Sequence, residues 1–210
     1  MKKDKIKFTK STGDFYHNLS KWNCSTNPLL YVTGLSGSGK TTLILTLQKK
    51  YKTCCISLDA LRFYNSSPKE SQAIVDSFVE IHPEIVDKIM CEWNSSKNFW
   101  KNEKTFTHYV RLFNNYLFEY ATQNKMSIII EGIQPFVRLP MKYLINKPRI
   151  IKGTSSIQSF LNALNRDKPI STKEKIFRFI RYSVIQFFRL NLYLLYWQHH
   201  ERITKSDNQQ

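Results

Sequence analysis

Three of the six glycines in this 210-residue chain, Gly34, Gly37 and Gly39, fall in one short window, and Lys40, Thr41 and Thr42 follow at once. Ser36 and Ser38 fill two of the gaps, so the window is small-residue backbone followed by a cation and two hydroxyls. Small residues let consecutive backbone N–H groups curl round an anion. A helix starting near Lys40 would aim the positive end of its dipole at the same point. The spacing fits GxxxxGK[ST], in which the lysine bridges β- and γ-phosphates and the following hydroxyl ligates Mg²⁺. Gly34, Ser36, Gly37, Ser38, Gly39, Lys40, Thr41 and Thr42 are thus the expected phosphate-binding residues, with Thr41 also at the metal.

Two acids and an arginine could complete such a site. Glu131 ends the apolar run Ser127–Ile130 and precedes Gly132, where a metal-holding acid would stand. An aspartate is usual there, so a water-mediated metal role or a substrate contact is expected of Glu131. Asp59 closes Cys54–Leu58 and could accept or orient the proton of an attacking hydroxyl, or cap a helix. Arg62, about one helical turn later, could hold an anionic acceptor or the transferring group.

These residues need strands to carry them. Leu29–Thr33, Cys54–Leu58, Ser127–Ile130 and Arg149–Ile151 are apolar runs without alternation, the pattern of strands covered on both faces. Helical periodicity covers Thr41–Tyr51, Glu70–Ile81, Pro83–Trp93, Glu103–Asn124 and Ser155–Arg166. Such alternation predicts an α/β fold, a parallel sheet of four or five strands covered by helices. The expected organisation is a single domain over 1–210 with a helical insertion at 60–125, a basic segment at 154–182 and a C-terminal helix and tail at 183–210. Ligands bind outside the carboxyl ends of strands in open sheets of this kind, where Asp59 and Glu131 would both stand.

The order of these elements resembles the P-loop kinases of small molecules and nucleotides: uridine kinases, zeta-toxin-type kinases and polynucleotide kinases. Glu131-Gly132-Ile133 is similar to a Glu-Gly-Ile element of uridine kinases. Pro135 and the later Arg138 are similar to a Pro-Arg of adenylate kinases, and Ile81-His82-Pro83 to a His-Pro element of zeta-toxin-type kinases. The resemblance spans roughly Leu29 to Arg181. It implies ATP and Mg²⁺, with transfer of the γ-phosphoryl group to a hydroxyl or phosphate of a nucleoside, nucleotide or sugar derivative. It also implies that the basic segment 154–182 is a lid whose arginines close over the phosphates; by analogy these are Arg166, Arg178 and Arg181, unless they lie on an ordinary amphipathic helix. A fifth parallel strand after the lid, present in many relatives, has no clear counterpart here.

Composition narrows the partners. Lys and Arg number 32 against 16 Asp and Glu, a formal charge of +16. Residues 132–200 hold twelve bases and two acids, while Glu70–Glu92 holds six acids and one base. A basic C-terminal wall suits an anionic ligand. Phe177–Trp197, rich in Phe, Tyr, Leu and Arg, reads as a core helix, a nucleic-acid surface or an amphipathic helix on lipid. Nucleic acid is therefore a possible partner and a 5′-hydroxyl polynucleotide kinase the alternative activity; a nucleotide-dependent switch or membrane-surface module is the alternative of another class. Cys24, Cys54, Cys55 and Cys91 form no CxxC pair and read as reduced thiols, consistent with a cytoplasmic protein. The basic Met1–Lys10 segment lacks the apolar stretch of a secretory signal, and no uncharged run is long enough to span a membrane.

Overall fold

The computed structural model describes residues 15–23, 25–34, 37–57, 69–94, 103–132, 134–144 and 146–152, then 161, 162, 171–173, 176 and 180. Among these residues five strands form one sheet in the order β1–β5–β2–β4–β3: β1 (Phe15–His17), β2 (Leu29–Gly34), β3 (Cys54–Ser57), β4 (Ile128–Glu131) and β5 (Arg149–Lys152). The fold is α/β, with a parallel sheet built on β3, β4, β2 and β5. The register pairs Leu29–Val32 of β2 with Ile128–Glu131 of β4, and Cys54–Ser57 of β3 with the same four residues.

The helices are α1 (Lys40–Tyr51), α2 (Lys69–Ile81), α3 (Pro83–Asn94), α4 (Glu103–Gln123), α5 (Gln134–Arg138) and α6 (Met141–Leu144). Each of the four long ones follows the periodicity in the sequence to within a residue or two. Pro83 opens α3 because the first turn of a helix needs no amide donor from it. Among the described residues the fifth strand of the sheet comes from the N-terminal side, and the segment after the basic stretch lies outside them. Phe15-Tyr16-His17 is too short to show an alternation pattern, so only pairing defines it.

Contacts divide the chain into two compact units, Tyr16–Thr33 with Lys40–Ile150, and Met1–Phe15 with Gly34–Gly39 and Ile151–Gln210. In the first, Leu30 and Val32 of β2, Ile129 of β4 and Ile150 of β5 pack on Ile44 and Leu47 of α1. Strand alternation sends Tyr31 to the opposite face. There its hydroxyl donates to Asn114 Oδ1 of α4 at 2.8 Å, and Asn114 Nδ2 donates to the Tyr143 hydroxyl of α6 at 3.0 Å. Tyr31 and Asn114 are fully buried, so this polar chain fixes where α4 and α6 sit on the sheet. Phe78, Tyr109 and Phe113 form the aromatic core of the helical layer, with Phe78 and Phe113 centroids 4.6 Å apart.

Two further contacts close exposed backbone. Ser71 of α2 donates its hydroxyl to the Cys55 carbonyl at 2.6 Å, satisfying an acceptor on the edge strand β3. Arg149, fully buried at the start of β5, donates from one terminal nitrogen to the Leu144 carbonyl at 2.8 Å, capping the last residue of α6. Among the described residues no helix is long and apolar enough to cross a membrane.

Candidate phosphate-binding site

The described part of the glycine window is strongly bent backbone. Gly34, Gly37 and Gly39 have φ of +151°, +80° and +85°, conformations that side-chain-bearing residues rarely adopt. Space is short as well at Gly34. A Cβ there would lie 2.7 Å from the Lys152 carbonyl oxygen and 2.9 Å from Ser38 Oγ. The end of β5 therefore presses directly on the first residue of the loop, which sequence spacing alone gave no means to foresee. Ser38 is 7% exposed and its hydroxyl has no hydrogen-bond partner.

Asn162, in a helical stretch of the chain, donates from Nδ2 to the Gly37 carbonyl at 2.9 Å. A trans peptide holds its C=O and the next N–H on opposite sides. Pinning the Gly37 oxygen on one side thus turns the Ser38 N–H the other way. Orientation of such amides is what makes a backbone nest receptive to an anion.

The loop ends where α1 begins, at Lys40. No acid occupies the first turn of α1, so no side chain of that turn neutralises the positive end of the helix. Lys40 is half-buried, and Thr41 and Thr42 are exposed in that first turn. A loop with three positive-φ glycines and a buried Ser38 hydroxyl without a hydrogen-bond partner fits an anionic group such as a phosphate.

Glu131 stands at the tip of β4, in register with Val32 of β2 and Ser57 of β3. The Gly132 N–H donates to the Val32 carbonyl at 3.0 Å, carrying the ladder one residue further. Alternation places Glu131 on the same face as Ile129, the face covered by α1. Cys55, which packs at that face, feels the Glu131 carboxylate. Its thiol is pushed far up, first by burial and then by the charges of Glu131 and Cys54. A thiol held protonated in this way is a core group, not a nucleophile or metal ligand. Cys54 and Cys55 are not joined in a disulfide.

Glu131 is the only one of the three sequence-selected acid and arginine residues of the site within the described residues; Asp59 and Arg62 lie outside them, as do Ser36, Arg166, Arg178 and Arg181. Arg138, the last residue of α5, packs against α4: it donates to Thr107 Oγ1 at 2.9 Å and stacks its guanidinium 4.7 Å from the Phe106 ring. Among the described residues no three His, Cys, Asp or Glu side chains cluster as a metal site would require. A metal held by one hydroxyl, one acid and phosphate oxygens needs no such cluster.

No protein-family model matches the chain, and no curated protein matches it. Among solved structures the chain is similar to "Crystal structure of TT1252 from Thermus thermophilus", at 16% identity and a TM-score of 0.47 over 79% of this chain and 84% of that one. This is a distant likeness.

Proposed function

We propose that this protein is an ATP-dependent phosphotransferase that moves the γ-phosphoryl group to a hydroxyl or phosphate of a small molecule. The observation that carries the reading is the Gly34–Gly39 backbone, bent at three positive-φ glycines and leading straight into the first turn of α1. In this reading the loop amides bind the triphosphate and Lys40 neutralises it across the β- and γ-phosphates. Thr41, with Glu131 directly or through water, would hold Mg²⁺, whose contribution is to offset charge on the phosphate oxygens. Asp59 orients the acceptor hydroxyl or takes its proton, and Arg62 holds an anionic acceptor. Arg166, Arg178 and Arg181 exclude water and offset charge on the transferring group.

The test is transfer of ³²P from ATP across a panel of nucleosides, nucleotides, sugars and nucleotide sugars. Asp59→Asn is expected to lower kcat by about 100-fold or more, in line with loss of a general base, while leaving ATP binding intact. Undiminished transfer by that variant would remove Asp59 from its role. A second acceptor class, the 5′-hydroxyl of a polynucleotide, draws on the charge of +16. It requires oligonucleotide affinity to fall steeply with salt; a flat response counts against it.

A further inference from the structure

The loop has a second lysine beside it, from a different element. Lys152 is the last residue of β5, about 110 positions after the loop lysine in the chain, and no motif singles it out. Its carbonyl and Cβ lie 2.7 and 3.0 Å from where a Gly34 Cβ would be, and its Cε lies 3.8 Å from where a Gly39 Cβ would be. The stem therefore runs along the loop from its first glycine to its last. The ammonium is one bond beyond Cε, so it lies near Gly39. Lys152 is half-buried.

Lysine loses side-chain entropy when its stem is held in one course. That cost is offset here by packing on bare glycine backbone. The same packing fixes a positive charge at a loop whose amides and helix start already favour an anion. Nothing in the glycine-lysine-threonine pattern requires this cation. It follows from β5 lying next to β2 in the sheet and ending at Gly34.

We propose that Lys152 is a second phosphate-binding cation of the Gly34–Gly39 loop, acting on the polyphosphate of a bound nucleotide. This rests on the reading of the loop as a nucleotide site. The substrate class it favours is the more highly charged one, a triphosphate over a diphosphate, because a point charge at the loop gains with each added negative charge.

The experiment is calorimetric titration of the full chain with Mg·ATP, Mg·ADP and inorganic tripolyphosphate. Lys152→Met keeps the stem and removes the charge; Lys152→Arg keeps the charge. Lys152→Met is expected to bind Mg·ATP and tripolyphosphate roughly tenfold or more weakly, the usual scale for a charged hydrogen bond. Its loss for Mg·ADP should be smaller, and Lys152→Arg should stay within roughly threefold of wild type. Affinity of Lys152→Met within twofold of wild type overturns the proposal while leaving the nucleotide site standing. Absence of binding by folded wild type overturns both. A readout that needs no variant is acylation of the wild-type lysines, mapped by mass spectrometry. Mg·ATP is expected to protect Lys152, and unchanged labelling at saturating Mg·ATP contradicts its contact with phosphate.

Discussion

At Gly34 two independent constraints meet. Its φ of +151° excludes most side chains, and the Lys152 carbonyl would stand 2.7 Å from any Cβ. The neighbour is backbone of a paired strand, so it cannot swing aside. Gly34→Ala should therefore cost about 1–3 kcal/mol, the scale of a residue forced into a sparse backbone region, read by urea unfolding. Mg·ATP affinity should fall with it, because the loop amides shift. A variant as stable as wild type would mean that β5 does not press on the loop in solution. The same scale explains what was legible in the sequence. Glycine spacing with Lys40 and Thr41 marks a phosphate loop because backbone freedom and charge are local properties. Lys152 and Asn162 were not legible, since their part depends on which strand and helix the fold lays beside Gly34 and Gly37.

Among the elements, the four long helices and the four buried strands could be read from periodicity and apolar runs. Their boundaries moved little: Thr41–Tyr51 begins at Lys40, and Ser127–Ile130 becomes Ile128–Glu131. β1 escaped notice because three residues carry no period, and α5 and α6 because they are only one or two turns long. The pin that joins elements, Tyr31–Asn114–Tyr143, also left no sequence trace; each partner comes from a different segment. Asn114→Leu should destabilise the fold by about 1–3 kcal/mol, because it strips the Tyr31 hydroxyl of its buried acceptor. Tyr31→Phe should cost less when added to that variant than when made alone, since the pair acts as a unit. Additive losses in a double-mutant cycle would show that the two side chains are not coupled.

For the whole molecule, burial of titratable groups sets the alkaline limit. Burial raises the Cys55 thiol and the Tyr31 phenol above their ordinary values, with Glu131 adding to the first and Tyr143 to the second. Both are neutral acids in the folded state, so the unfolded chain releases their protons first. Their contribution is whole below the unfolded thiol value, about 8.5, and is lost progressively as pH rises above it. Urea midpoints should thus decline from about pH 8.5 upward, and Cys55→Ala should flatten the first part of that decline. A profile in which wild type and Cys55→Ala fall in parallel would contradict the assignment.

The charge of +16 belongs to the same scale, but it draws any polyanion. It cannot separate a nucleotide site from a basic surface. Loss of binding on changing Lys40 can. Titration of folded protein with Mg·ATP by calorimetry is expected to give one saturable site, with binding lost in Lys40→Ala while its circular dichroism spectrum is unchanged. Absence of heat with every magnesium–nucleotide complex, or equal binding by Lys40→Ala, would contradict a phosphate site at Gly34–Thr42.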